Sequence, residues 1–311
     1  MKILSTFDGI ACGRVALERA GIPVEAYYAS EIEDTSIAIS KKNYPDIVQL
    51  GDVTKWREWD IPWGEIDLLI GGSPCQGFSF AGKKLNFDDP RSKLFFVFVD
   101  ILNHIRKYNP RVRFLLENVV MSDIHKQVIT DRLGVEPVLI NSNIVSAQNR
   151  PRLYWCNFGI PSLPPESPYT LRDVFDPNVK HREIHINHPD TIVKCKSYYQ
   201  YDQNRLGHKS QDQIFFDIDT KSNTLLLSSS SIPKVRADDG RVWLLTPGEC
   251  AKLQTLDGEY LNVPGVSNAA KYGALGNGWT VDVISFILKG IVTEEKVARR
   301  KWLNDLLGGC L

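Results

Sequence analysis

The sequence predicts an α/β fold: a mostly parallel sheet flanked by helices, with a small, irregular second domain inserted late in the chain. Three observations carry this. Strand-like apolar runs alternate with helical stretches through the first half of the chain. A glycine-bearing turn joins the first run to the first helix. After a polar stretch over 161–245, helical apolar periodicity returns and continues towards the C-terminus. Residues 1–160 plus 246–311 are therefore expected to form one α/β domain, and 161–245 the smaller one.

Composition narrows the class further. The chain of 311 residues has room for one large domain or two ordinary ones, and 43% hydrophobic with 24% charged residues argues against disorder. Lys+Arg and Asp+Glu are both 37, so binding of a polyanion would need a local basic cleft. No apolar run approaches a membrane span, and Met1-Lys2-Ile3-Leu4 enters a strand without a signal-peptide layout. Cysteines 12, 75, 156, 195, 250 and 310 form no Cys-x-x-Cys pair. No metal site or disulfide framework is expected, and a reducing cytosol fits.

The elements follow in order. Met1 to Phe7 reads as a strand running into Asp8-Gly9-Ile10-Ala11-Cys12-Gly13, then a helix over 14–20 closed by Gly21. The glycines admit a ligand close to the backbone, and the helix start offers free N–H groups. Val24 to Ser30 is a second strand ending at Glu31, where a carboxylate can accept both hydroxyls of a ribose. A helix over Asp34–Tyr44 stops at Pro45. Ile47 to Leu50 is a third strand, followed by Gly51-Asp52, and Asp52 could accept an adenine amino group. Either acid alone reads equally well as a solvated or capping residue. Two of them at successive strand ends, after a glycine turn, point to an adenosine-containing cofactor.

Leu68-Leu69-Ile70 is a buried strand that ends in Gly71-Gly72-Ser73-Pro74-Cys75-Gln76-Gly77-Phe78-Ser79. Cys75 thus falls just past the carboxyl end of a strand, where open α/β sheets bind ligands, on a backbone stiffened by Pro74. A lone cysteine in a tight turn is usually a packing residue. Flanking glycines and this loop position favour a nucleophile, which needs a rigidly held thiolate. A long loop spans 79–91, then a helix over Lys93–Lys107 with Phe95, Phe96, Val99, Leu102 and Ile105 at helical spacing. Arg113 to Leu116 is a strand ending at Glu117-Asn118-Val119, on the same sheet edge as Cys75. Ser122 or Asp123 caps a helix that stops at Gly134. Strands follow at 138–141 and 153–158, with Gln148-Asn149-Arg150-Pro151-Arg152 between them. Pro161, Pro164, Pro165 and Pro168 mark a linker. Thr246-Pro247-Gly248-Glu249 starts a helix, 267–274 is another, and Leu275-Gly276-Asn277-Gly278-Trp279-Thr280 opens the last.

With these residues in view the chain resembles the DNA cytosine-5 methyltransferase family. The motifs occur in family order: FDGIACG at 7–13, Glu31, Gly51-Asp52, GGSPCQGFS at 71–79, Glu117-Asn118-Val119, QNRPR at 148–152 and LGNGWTV at 275–281. Ala11 and Gly278-Trp279 lean towards the catalytic domain of the eukaryotic de novo enzymes. The resemblance implies a Rossmann-like sheet, a target-recognition domain at 161–245, and S-adenosylmethionine as methyl donor with S-adenosylhomocysteine as product. It places Phe7, Asp8, Gly9, Ile10, Ala11 and Cys12 against the methionine portion of the cofactor. Glu31 would take the ribose, Ile32 the adenine face, and Asp52 with Val53 the adenine edge. Pro74, Asn277, Gly278 and Trp279 would close the pocket.

The resemblance also assigns catalytic roles. Cys75 would add to carbon 6 of cytosine, Glu117 would act on ring nitrogen 3, and Arg152 would hold the base carbonyl. Arg150 would touch phosphate or brace its loop, and Asn118 would position the Pro74-Cys75 turn. The substrate would be double-stranded DNA with the target base flipped out. Lys194, Lys196, Tyr198, Tyr199, Arg205 and His208 are candidate DNA contacts. Of Phe95, Phe96 and Phe98, two are expected in the core, with Phe96 a candidate contact in a homo-oligomer. No membrane association is expected; the setting would be cytoplasmic in a prokaryote or virus and nuclear in a eukaryote. Two other readings stand beside this one. A tRNA cytosine-5 methyltransferase of the same motif set should carry a smaller recognition region. An inactive regulatory paralogue would have no need of Cys75, Glu117 and Arg152 together. A dehydrogenase is excluded by the glycine spacing.

Overall fold

The structure, a computed structural model, describes residues 1–73, 93–186, 192–195, 198–201, 214–227 and 232–307. Pro74, Cys75, Lys196, Arg205 and His208 lie outside the described residues.

The first half of the chain alternates strand and helix as its pattern requires. β1 (Lys2–Thr6) leads to α1 (Cys12–Arg19), β2 (Ala26–Ser30) to α2 (Asp34–Asn43), and β3 (Val48–Gln49) to two short 3-10 turns, Val53–Glu58 and Trp63–Glu65. β4 (Ile66–Gly72) is followed by α3 (Lys93–Tyr108), β5 (Arg113–Val119), α4 (Asp123–Leu133), β6 (Val138–Asn141) and β7 (Pro151–Cys156). Ser122 caps α4 and Gly134 ends it in the left-handed region, at φ 74°. The seven strands pair in the order β3-β2-β1-β4-β5-β7-β6. The first five are parallel, and β7 is antiparallel to both its neighbours.

Successive residues of the central strands point to opposite faces, and both faces are covered. Ile3, Leu68, Ile70, Leu115 and Tyr154 pack on one side with α1 and the C-terminal helices. Leu4, Leu69, Phe114, Leu116 and Trp155 pack on the other with α3 and the Trp56–Trp59 turn. Phe95 and Phe98 are fully buried there. Phe96 is half-buried in the same cluster, with the Arg132 guanidinium 5.5 Å from its ring centre.

Among the described residues, the polar stretch forms a 3-10 turn, Leu171–Asp173, and short strands: β8 (Arg182–Glu183), β9 (Ile192–Lys194), β10 (Tyr199–Tyr201), β11 (Phe216–Asp217), β12 (Lys234–Arg236) and β13 (Val242–Leu244). They make a four-stranded sheet, β11-β12-β13-β8, and a β10-β9 pair. Tyr199 is not free to meet DNA. It is buried, stacked on Phe215 at 4.9 Å, with its hydroxyl accepting from Arg236 at 2.6 Å. Lys194 is exposed and lies 5.5 Å from that ring.

The chain then returns to the large sheet through α5 (Pro247–Leu253), α6 (Asn268–Asn277) and α7 (Val281–Leu307). The Thr246–Glu249 capping box forms as its spacing predicts. Leu275-Gly276-Asn277 does not open the last helix; it ends α6, and a break at Gly278–Thr280 separates the two. By length and composition alone Asn268–Arg299 is apolar enough to cross a membrane, but the break at Gly278–Thr280 divides it. Its apolar residues are spent inward: Val281, Val283, Ile284, Ile287, Leu288 and Ile291 are all fully buried. α7 packs along α1, and Gly290 lies so close to the Gly159 carbonyl that a Cβ there would overlap it. Gly290→Ala should therefore cost about 1–3 kcal/mol, read as a lower urea midpoint at unchanged slope. Wild-type stability in this variant would mean that α7 does not seat here.

Candidate active site

Strand order reverses between β1 and β4, and at such a point an open α/β sheet presents a crevice beyond its carboxyl ends. The turn after β1 lines it. Phe7, Gly9 and Ala11 all have positive φ, at 56°, 60° and 61°. For Phe7 and Ala11 this conformation costs about 1–2 kcal/mol each, strain of a kind that clusters at functional sites. Glu31, at the end of β2, ties the turn down. Its Oε2 accepts from Gly9 N at 2.7 Å, and its Oε1 from Ile32 N and Glu33 N at 2.8 and 2.9 Å. Oε2 keeps a lone pair for a further donor. Ile32 is 67% exposed beside it, an apolar surface open to a planar ligand. Asp52 accepts from Thr54 N and Thr54 Oγ1 through Oδ1 alone, and the Thr54 N–H holds this carboxyl below the usual range. It caps the 3-10 turn that Val53 begins and still has Oδ2 to offer.

Asp8 is buried at the base of the turn. Oδ1 accepts from Tyr27 Oη at 2.7 Å, while Oδ2 makes no well-formed hydrogen bond, the Ser5 hydroxyl lying close to the carboxyl. Burial pushes its pKa up to about 6. An orphaned carboxylate oxygen beside a strained turn suits a cationic group, and the crevice as a whole suits an amino-acid-bearing nucleoside such as S-adenosylmethionine. Ile10 is buried, with its carbonyl accepting from Tyr260 Oη at 2.7 Å. Cys12 is buried and its thiol is pushed up to about 12 by burial, so it is a packing residue rather than a nucleophile.

The second half of the site is assembled by strand register. Gly72 pairs with Glu117, Glu117 with Tyr154, and Val119 with Arg152. Glu117 lies inside β5 rather than at its end, and two-residue periodicity puts Arg152 on the same face as Tyr154 and Glu117. Arg152 Nε stands 3.0 Å from Glu117 Oε1, and Nη1 donates to the Pro151 carbonyl at 2.8 Å. Asn118 Nδ2 donates to the Ser73 Oγ at 3.1 Å and carbonyl at 3.3 Å, fixing the residue just before Pro74.

Arg150 braces the interior. Nη1 donates to the Leu225 carbonyl at 2.8 Å, and Nη2 to the carbonyls of Gly276 and Gly278 at 3.0 Å each. It is buried, and burial lowers its pKa to about 9, which leaves it charged at neutral pH. Of the two roles open to it, bracing is the one it takes, since no phosphate could reach a guanidinium enclosed in this way. Asn277 is exposed at the end of α6, and Trp279 is buried beside Cys12 and Glu117.

Two supporting residues have only a faint signal in the sequence. Gln148, which opens the QNRPR motif, accepts from Leu225 N and donates to the Leu253 carbonyl. Gln254 donates to the carbonyls of Leu275 and Gly278 and accepts from Thr280 Oγ1.

Residues 1–161 match the family described as C-5 cytosine-specific DNA methylase, just over half of the chain. The chain belongs to this family. Among its relatives, the type II methyltransferase M.NgoBV of Neisseria gonorrhoeae is 40% identical over 123 residues. That match covers 38% of this chain and only 28% of the relative's length. The type II methyltransferase M1.ScrFI of Lactococcus lactis subsp. cremoris is 29% identical over 307 residues, covering 92% of this chain and 76% of the relative. Both are bacterial. The fold is shared with the methyltransferase EhMeth of Entamoeba histolytica, at a TM-score of 0.70 and 17% identity over 94% of this chain and 98% of that one. A mutant of Spodoptera frugiperda DNMT2 superposes with a TM-score of 0.65 and 20% identity, over 93% of this chain and 98% of that one. Use of S-adenosylmethionine follows from membership of the family.

The buried Asp8 makes a testable demand on stability. Its folded pKa lies above the unfolded value, so the folded state holds the proton more tightly between 3.8 and about 6. Stability from this group is therefore present at low pH and lost as pH rises through that window. Asp8→Asn should raise stability at neutral pH by about 2–3 kcal/mol and flatten the pH dependence over the window, in urea titrations of the ligand-free protein. A less stable variant at neutral pH would show that the carboxylate has a partner after all.

Proposed function

We propose that the chain transfers a methyl group from S-adenosylmethionine to carbon 5 of cytosine in double-stranded DNA, through a covalent adduct of Cys75 with a flipped-out base. The observation that supports this most is the Glu117 carboxyl. It is buried, held on Oε1 by Arg152, and lies on the strand beside the one that leads to Cys75.

When bound, S-adenosylmethionine supplies an electrophilic methyl group. The rest is the work of side chains. Carbon 5 of cytosine is too poor a nucleophile to attack that methyl unaided. Addition of the Cys75 thiolate to carbon 6 makes carbon 5 enamine-like. Glu117 donates a proton or hydrogen bond to ring nitrogen 3 and so favours the addition. Arg152 uses Nε and Nη1 within the protein, and its remaining Nη2 would hold the base carbonyl. After methylation the carbon 5 proton passes to solvent water, the carbon 6–sulfur bond breaks to expel the thiolate, and ring nitrogen 3 returns its proton to Glu117. Asp8 Oδ2 would receive the cofactor ammonium, Glu31 the ribose, Ile32 the adenine face and Asp52 Oδ2 the adenine amino group. Glycines 9 and 278, with Phe7, Ala11 and Val53, would shape the pocket, and Asn277 and Trp279 would close it.

Residues 161–245 would choose the DNA target, with Lys194 and Tyr198 as candidate contacts among the described residues. The relatives from bacteria support a cytoplasmic setting. Replacing 170–240 with the corresponding stretch of a relative should then move the methylated sequence, as read by bisulfite sequencing. An unchanged pattern would place target choice elsewhere.

The covalent step has a direct test. DNA carrying 5-fluorocytosine cannot lose its carbon 5 substituent, so an adduct dependent on S-adenosylmethionine should survive denaturation. Cys75→Ala should abolish adduct and methylation together while cofactor binding persists. Glu117→Gln should slow turnover roughly 10²- to 10⁴-fold. A methylating Cys75→Ala variant would overturn the mechanism, and methylation of tRNA instead of DNA in parallel assays would overturn the substrate.

A further inference from the structure

Trp279 does more than its place in the sequence foretells. It lies in the break between α6 and α7, a segment expected only to close the cofactor pocket. Its indole crosses to the other half of the site: Nε1 donates to Glu117 Oε2 at 3.1 Å, opposite the oxygen that faces Arg152. We propose that Trp279 is a positioning residue for Glu117, fixing the plane of the carboxyl through this bond. The proposal rests on the methyltransferase reading of the site.

Three features carry the assignment. First, the slot is cut for this ring. A Cβ at Gly72 would lie 2.8 Å from Trp279 Nε1 and 3.0 Å from Glu117 Oε2, and one at Gly13 would lie 3.4 Å from the far edge of the indole. The paired strands thus lack a side chain at the one place where the donor must pass. Second, Arg152 alone holds one oxygen, which leaves the carboxyl free to turn about its last torsion. A second donor on the other oxygen removes that freedom. Third, an indole N–H donates only and carries no charge. It can orient the carboxyl without adding a second cation to oppose proton uptake, which the reaction requires of this group. The Trp279 N–H is itself buried, and losing its acceptor would leave it unsatisfied.

The break is held by the interior bracing already described: Arg150 and Gln254 both bind the Gly278 carbonyl, one residue before the indole. The ring also touches the first turn of α1, where the cofactor turn ends. Trp279 therefore stands between the two halves of the site, and its fixed position is set by groups that touch neither ligand.

The test removes the N–H and nothing else. Replacing the Trp279 indole with benzothiophene, by incorporation of the analogue amino acid, keeps the fused ring and substitutes sulfur for the donor. Trp279→Phe is the coarser companion. The full chain is assayed with S-adenosylmethionine and duplex DNA for kcat, KM and cofactor Kd. We expect kcat to fall roughly 10- to 100-fold, the scale of one hydrogen bond to a charged group, with cofactor Kd held within about twofold. On a Glu117→Gln background, followed by single-turnover methyl incorporation, the same replacement should have little further effect, because the two act as a unit. An unchanged kcat in the benzothiophene protein would overturn the proposal. So would an equal loss on the Glu117→Gln background, or a loss of cofactor affinity that accounts for the whole effect. If the unmodified protein methylates nothing, the methyltransferase reading fails and not this inference.

Discussion

The register of β5 between β4 and β7 is the constraint on which the site depends. Gly72, Glu117 and Tyr154 lie in one row across three strands, and Arg152 follows two residues along β7 on the same face. In a sheet, a slip of one residue turns every side chain to the opposite face. Here a slip in β5 would drive Glu117 towards the α3 side of the sheet and bring Leu116 into the crevice. The register is protected by the core itself. Phe114 and Leu116 belong to one apolar layer and Leu115 to the other, all fully buried, so a slipped strand would have to exchange two filled faces. Catalytic geometry is thus a by-product of hydrophobic alternation in a strand buried on both sides.

A second layer of order comes from buried polar groups that touch neither cofactor nor base. Arg150, Gln148 and Gln254 join four stretches far apart in sequence: 148–150, 225, 253–254 and 275–280. The backbone carbonyls they reach lie at the C-terminal ends of α5 and α6 (Leu253, Leu275, Gly276) or in irregular chain (Leu225, Gly278), where regular pairing leaves acceptors over. A charged guanidinium in such a place is costly unless fully bonded, and three carbonyl contacts with Glu117 nearby offset that cost. The consequence for function is spatial. The segment at 225, which lies between β11 and β12 in sequence, is pinned through Arg150 to the break that presents Trp279.

The cofactor half of the crevice is built differently, from strain and an unsatisfied acid. Positive φ at Phe7 and Ala11 and a buried carboxylate with a bare oxygen both lower the stability of the folded chain. Ala11 holds a φ of 61°, a conformation that glycine adopts without the cost a Cβ brings. Glu31 offsets part of this cost by gathering three backbone N–H groups at the end of β2. Binding a cation would relieve the rest.

The order of strands and helices in the first half, the caps at Ser122, Gly134 and Thr246, and the burial of Phe95 and Phe98 were all legible in the sequence. Each follows from local periodicity or from a residue's own backbone preferences. Glu31, Asp52 and Glu117 could be nominated because strand ends in α/β sheets face ligands. Other features depend on which distant segments meet. Tyr199 reads as a surface aromatic until Phe215 and Arg236 close over it. Leu275 to Asn277 reads as the start of a helix until Gly276 is seated against the Leu226 backbone at the end of another. Arg150 reads as a phosphate contact or a loop brace until three carbonyls from two other segments surround it, and Trp279 looks like a lid until Gly72 leaves room for it to reach Glu117. Sequence by itself determined the elements and the chemistry available, because those are properties of short stretches. Only the tertiary structure decided the pairings, because a hydrogen bond between residues more than a hundred positions apart leaves no local trace.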